Sequence, residues 1–158
     1  MTAGRWLDAD MIKCCSHLWE GPVADSLRNF GLLGLRVWLG LSMLVLHGWG
    51  KLQNHATLSQ GFPDPLGVGP AMSLNLAIFA EVFCPLLVVV GLATRLALLP
   101  LVATMAVAFF LVHGGALSGE GNGELAFIYL GGFLALLFTG PGRFALDHYV
   151  IRVLRDGE

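Results

Sequence analysis

Charge is what this chain has least of. Asp, Glu, Lys and Arg make up only 13% of its 158 residues, about half of the roughly 25% usual in soluble domains. With 56% hydrophobic residues and a mean hydropathy of +0.73, this scarcity excludes a soluble globule. It leaves a one-domain integral membrane protein with most of its residues in the bilayer. The formal net charge of -2 excludes the basic footprint of a nucleic-acid binder. Cysteine is scarce too: Cys14 and Cys15 are adjacent and Cys84 lies in an apolar run, so no disulfide framework is encoded, and a vicinal redox pair is the alternative at 14 and 15. Cys-x-x-Cys, flavin, nicotinamide and haem-attachment motifs are all missing. Any electron must therefore come from a partner or from a noncovalent cofactor.

What is present is long apolar runs. Four segments reach or approach spanning length, at about 30–52, 71–93, 96–114 and 124–140. The fourth is short and would stand nearly upright or thin the bilayer. A Gly- and Pro-rich stretch, GFPDPLGVGP, separates the first two and is too irregular to lie in hydrocarbon. Residues 1–29 carry Arg5, Asp8, Asp10, Lys13, Glu20, Asp25 and Arg28 and no signal-peptide core, so the first span is expected to be retained. Leu7, Met11, Cys14/Cys15 and Leu18 recur at helical spacing, as in a short helix lying in the headgroup layer.

The basic residues set an orientation. Arg5, Lys13 and Arg28 precede the first span, Arg95 lies between the second and third, and Arg143, Arg152 and Arg155 follow the fourth, whereas Lys51 is on the other side. That bias predicts both termini in the cytoplasm of a bacterial-type inner membrane. After Gly140-Pro141, Leu146, Tyr149, Val150, Val153 and Leu154 form an apolar stripe opposite Asp147, His148, Arg152 and Arg155, which predicts an amphipathic helix on the membrane surface. The expected architecture is all-α: an N-terminal interfacial segment over 1–29, a four-helix transmembrane bundle over 30–140 and an amphipathic helix over 141–158.

Ionisable residues inside spans are costly and mark candidate sites. On a regular helix Arg36, Gly40, His47 and Lys51 fall within roughly 60° of one another. Glu81 is expected near the midplane of the second span, with His47, Lys51, His113 and Glu124 in the outer half or at its rim. Pro85 cannot donate to the carbonyl of Glu81, which leaves a carboxyl and a carbonyl together.

These residues carry a resemblance. The string R-x3-G-x6-HG-x2-K at Arg36, Gly40, His47, Gly48 and Lys51, the string E-x9-G-x3-R at Glu81, Gly91 and Arg95, and the ending GPGRFALD from Gly140 to Asp147 resemble the DoxX-like membrane proteins over about residues 30–148. The resemblance implies a four-helix bundle associated with redox metabolism. Members resemble subunits of thiosulfate:quinone oxidoreductase and of a terminal quinol oxidase, and others look like partners of oxidative-stress proteins.

The expected function is accordingly a small membrane subunit or accessory of a quinone-linked oxidoreductase, with protein partners in a membrane redox complex and a homo-oligomer open. Arg36, His47, Lys51, Glu81, Arg95 and His113 would line a quinone site: His47 and either Lys51 or His113 donating to the carbonyls, Glu81 exchanging the proton. Three other readings stay open. The buried charges could only hold the bundle together, His47 and His113 could ligate a b-haem or copper, or the chain could be a small transporter. No resident metal is assigned.

Overall fold

The computed structural model describes residues 21–157. The segment with Leu7, Met11, Cys14, Cys15 and Leu18 lies outside the described residues. Within them the secondary structure is helical throughout. Helix α1 runs Pro22–Gln53, α3 Pro70–Val90 and α4 Thr94–Val112, and each is long and apolar enough to cross a membrane. Between α1 and α3 lies the short α2, His55–Leu58. Helix α5, Glu124–Thr139, has 16 residues, short of the roughly 20 a span usually takes. The amphipathic α6 covers Leu146–Asp156.

Helix α1 begins at Pro22 rather than near residue 30. Proline fits a first helical position because its missing N–H would have no partner there. The polar turn that follows is held by Arg28 on Asp25 at 2.5 Å and by Asn29 Nδ2 donating to the Asp25 carbonyl at 2.6 Å. Charge therefore marks where the helix leaves hydrocarbon, and the helix itself continues.

The four long helices form a ring in which α1 packs on α3, α3 on α4, α4 on α5 and α5 back on α1. Met43, Val88, Leu98, Leu101, Phe133 and Leu136 fill the middle. Trp38, Leu46, Leu96, Phe110 and Phe138 point outward, where only a lipid environment removes their surface from water. Gly40 and Gly48 let α1 approach α3 closely: a Cβ on Gly40 would meet Val89 and one on Gly48 the backbone carbonyl of Glu81.

Three helices widen into a π turn toward the same end of the bundle. The Trp49 N–H reaches the Leu44 carbonyl in α1, the Cys84 N–H the Phe79 carbonyl in α3, and the His113 N–H the Ala108 carbonyl in α4. Each such turn holds one extra residue, worth about 100° of helical phase. In α1 the extra residue swings Gly48 onto the face of Arg36 and Gly40 and turns His47 off it. The single face expected from a regular helix is thus split.

Candidate functional site

At the end of the bundle with the π turns, α3 and α4 diverge and leave a cavity of about 440 Å³. Its walls are Leu76, Ala77 and Ala80 on α3 and Pro100, Ala103, Thr104, Val107 and Ala108 on α4, under a roof of Phe62, Pro63, Pro65 and Leu66. Leu76, Phe79, Ala103 and Val112 are exposed, so the cavity opens on the outside of the bundle, on its lipid-facing surface. Small residues at 103, 104, 107 and 108 make the groove, because α4 offers little side-chain bulk to fill it.

The polar groups in this wall are few. Lys51 and Glu81 both line it and form an ion pair, with the lysine side chain 23% exposed and the carboxylate 5%. The ammonium keeps two further donors, and the lysine's exposed part faces the cavity. Ser73 and Thr104 are the other polar residues that line it; the Ser73 hydroxyl donates to Asp64 Oδ1 at 2.7 Å. Asp64 also accepts the N–H groups of Val68 at 3.0 Å and Gly69 at 2.7 Å, which ties the roof to the first turn of α3. Hydrogen bonding, led by Ser73, holds the Asp64 carboxyl below the usual carboxylate range.

His47 stands behind this pair, not in the cavity wall. It lies within electrostatic range of Glu81 and Lys51. Its ring meets Tyr129 of α5 edge-on at 5.4 Å between centroids, and its enclosed Nε2 has no hydrogen-bond partner among the described residues. His113 closes the turn before α5: its Nδ1 is 2.6 Å from the Gly121 carbonyl oxygen. The two imidazoles are thus engaged with different partners. Among the described residues no three His, Cys, Asp or Glu side chains converge as a metal site. The Glu81 carbonyl expected as an acceptor lies against Gly48 of α1, where a Cβ would strike it.

Arg36 and Arg95 lie at the opposite end. Arg36 is 1% exposed and spends its guanidinium on the chain after α5, donating to the carbonyls of Pro141 at 2.8 Å and Phe144 at 2.9 Å. Gly91 gives it room: at φ +79°, a Cβ there would come within 2.7 Å of both Arg36 Nη1 and Ala145 Cβ. Asp147 accepts the N–H groups of Ala93 at 2.6 Å and Thr94 at 2.9 Å, placing a carboxylate on the first turn of α4. Arg95 packs against Gly140. Eleven residues of helix separate Arg36 from His47, about 16 Å along the axis, so the six candidates do not share one site. Lys51, Glu81 and, behind them, His47 come together, His113 sits apart in its own turn, and Arg36 fastens the far end, where Arg95 lies exposed against Gly140.

The residues that shape the cavity most were not among the sequence candidates. Pro100 in mid-span, followed by small residues at 103, 104, 107 and 108, is the signal that could have found them. The GFPDP stretch is the other.

The DoxX family model matches residues 31–114, which include the Arg36–Lys51 and Glu81–Arg95 strings. The chain belongs to the DoxX family. It is 31% identical over 125 residues to the inner membrane protein YqjF of Escherichia coli, covering 77% of this chain and 92% of that one. An uncharacterized protein of Haemophilus influenzae is 33% identical over 132 residues, covering 78% of this chain and 93% of its own. No solved structure matches. In DoxX terms, the first two strings each supply one partner of the Lys51–Glu81 pair. Arg36 of the first string and the GPGRFALD ending build the lock at the other end.

Proposed function

We propose that this DoxX family member is a small multi-pass subunit or accessory of a quinone-linked oxidoreductase in a bacterial inner membrane, and that the cavity between α3 and α4 receives the quinone ring. The observation that carries the reading is an apolar groove open to lipid whose wall contains a buried ion pair. Such a groove suits a flat lipophilic ring with a hydrocarbon tail, at a volume within the roughly 300–1,000 Å³ of small-molecule sites. Lys51 is the donor to a ring carbonyl and Glu81 the group that holds or releases the accompanying proton. His47, close to both, adjusts the field of the pair and does not touch the ring. Electrons come from a protein partner or from a noncovalent cofactor, because the chain has no motif for a covalent or nucleotide cofactor. The basic bias supports cytoplasmic termini, and the name of the Escherichia coli relative supports the inner membrane.

The rival reading gives the Lys51–Glu81 pair a purely structural role. Titration of the purified protein in nanodiscs with a short-chain ubiquinone separates the two. Saturable binding is expected, lost in Ala103→Phe, which fills the groove at an exposed position without touching the ion pair, and weakened in Lys51→Met. Absence of saturable binding by the folded wild type, or equal binding by Ala103→Phe, refutes the quinone site.

A further inference from the structure

The chemistry at the other end of the bundle is unused by this reading. Two adjoining hollows of about 470 and 410 Å³ lie where α5 hands over to α6, and they share Arg143 and His148. Arg152 of α6 lines the second hollow, its Nη2 3.1 Å from His148 Nε2. Arg28 lines the first, together with Asp25, whose carboxylate it already neutralises at 2.5 Å. The guanidinium of Arg143 has no side-chain partner among the described residues, yet its backbone is held with care. Its N–H donates to Asn29 Oδ1 at 2.8 Å, and Asn29, 8% exposed, is itself fixed on the Asp25 carbonyl. Gly142 at φ +76° packs against the same amide and Leu32. A buried polar side chain is thus committed to presenting an arginine that carries no internal load.

What the arginine faces follows from its surroundings. Arg143 and Arg152 line a hollow with no acid in its wall, and Asp25 of the adjoining hollow is already paired with Arg28. A dianion or monoanion with several acceptor oxygens fits them better than a single carboxylate, because guanidinium groups match phosphate oxygens two at a time. Beside the concavity, Tyr149, Val150, Val153 and Leu154 of α6 are exposed, the apolar face of a helix lying at the membrane surface. An anion with hydrocarbon attached satisfies both features at once.

We infer that Arg143 and Arg152, with His148 between them, form a headgroup site for an anionic phospholipid that seats α6 on the bilayer. The phosphate takes the two guanidinium groups and the acyl chains run along α6 and the outer face of the bundle. Arg155, on α6 but outside both hollows, contributes only diffuse attraction.

The test uses the full chain purified in neutral detergent and titrated with phosphatidylglycerol, phosphatidylcholine or inorganic phosphate under native mass spectrometry. Phosphatidylglycerol should bind more tightly than phosphatidylcholine. The double change Arg143→Gln/Arg152→Gln should weaken it at least about twenty-fivefold, since each basic side chain near an anionic surface contributes a factor of roughly five before any direct bond to the headgroup is counted. Arg155→Gln, outside both hollows, should weaken binding by no more than the roughly fivefold of diffuse surface attraction, and millimolar inorganic phosphate should not displace the lipid. An unchanged melting temperature certifies the fold, and Arg152→Gln alone, on an exposed helix, serves where the double variant melts early. Equal binding of both lipids, equal loss in Arg155→Gln, or displacement by inorganic phosphate each overturns the site, the last by making it a free-anion site.

Discussion

Lys51 and Glu81 close an ion pair between α1 and α3 at the one place where both helices are widened by a π turn beside a lipid-facing cavity. The wide turn in α3 contains Glu81 itself and ends just before Pro85, which cannot donate to the Glu81 carbonyl. The turn adds the residue that lets the helix continue past the proline while presenting the carboxylate to α1. Such turns recur at functional sites because they aim one side chain without ending a helix.

Breaking the pair from one side should cost more than removing it. With the Glu81 side chain 5% exposed, Lys51→Met leaves a buried anion unpaired and should lower stability by about 3–5 kcal/mol. The double change Lys51→Met/Glu81→Leu should recover most of that loss, since two apolar groups have no desolvation to compensate. Thermal unfolding in detergent measures the cycle. Quinone titration of the double variant adds the functional readout: a stable protein that no longer binds supports a working pair, whereas undiminished binding assigns it to structure alone.

At the other end Arg36 is expected to be a fastener. Arg36→Gln forfeits charge-assisted bonds to Pro141 and Phe144, worth roughly 1.5–3 kcal/mol each. Gly91→Ala should act on the same joint, because φ +79° strains any Cβ and the added methyl meets Arg36 and Ala145. Both should raise amide exchange in α6 before they change quinone binding. A loss of binding with α6 exchange unchanged would return Arg36 to the site.

The two close-approach glycines of α1 should differ. A Cβ on Gly48 strikes the Glu81 carbonyl and the Cγ2 of Val82, and backbone cannot swing aside. On Gly40 the nearest atom is the end of the Val89 side chain at 2.5 Å, with the Pro85 carbonyl at 3.2 Å. Gly48→Ala should therefore cost the roughly 1–3 kcal/mol of overpacking and disturb the Lys51–Glu81 pair, and Gly40→Ala should be milder. Equal losses in melting temperature would show that the π turn does not set the helix spacing.

Span positions were legible because hydrophobicity is a local property. The runs at 71–93, 96–114 and 124–140 correspond to Pro70–Val90, Thr94–Val112 and Glu124–Thr139. The stripe from Leu146 to Leu154 lies on α6. The start of α1 was not legible, because Asp25 and Arg28 mark the edge of hydrocarbon while their mutual pairing keeps the helix going. The grouping of Arg36 with His47 failed for a different reason. A helical wheel assumes constant phase, and the single inserted residue between Leu44 and Gly48 shifts His47 toward Tyr129. Asp147 reaching back to Ala93 and Thr94 depends on how distant segments meet, and no spacing rule encodes that. The ending GPGRFALD signalled the contact without revealing its partner.

In the roof of the cavity Asp64 should behave as a hinge pin with a definite pH dependence. Its carboxylate accepts from Ser73, Gly69 and Val68, and these bonds lower its pKa below the ordinary value of 3.8. A carboxyl depressed in the folded protein contributes order above its unfolded pKa and loses it only as pH falls through the lower folded value. Exchange protection of the 66–73 segment, corrected for intrinsic rates, should therefore stay flat from neutral pH down to the ordinary carboxylate range and drop only below it. Asp64→Asn keeps the shape but not the charge and should lose protection from neutral pH down to the ordinary carboxylate range, converging with the wild type only at lower pH, with the Phe62–Leu66 roof loosened and quinone entry faster. Hydrogen exchange with mass spectrometry in nanodiscs reads both. Protection in the wild type that falls between neutral pH and the ordinary carboxylate range would mean that another group, not Asp64, holds the roof.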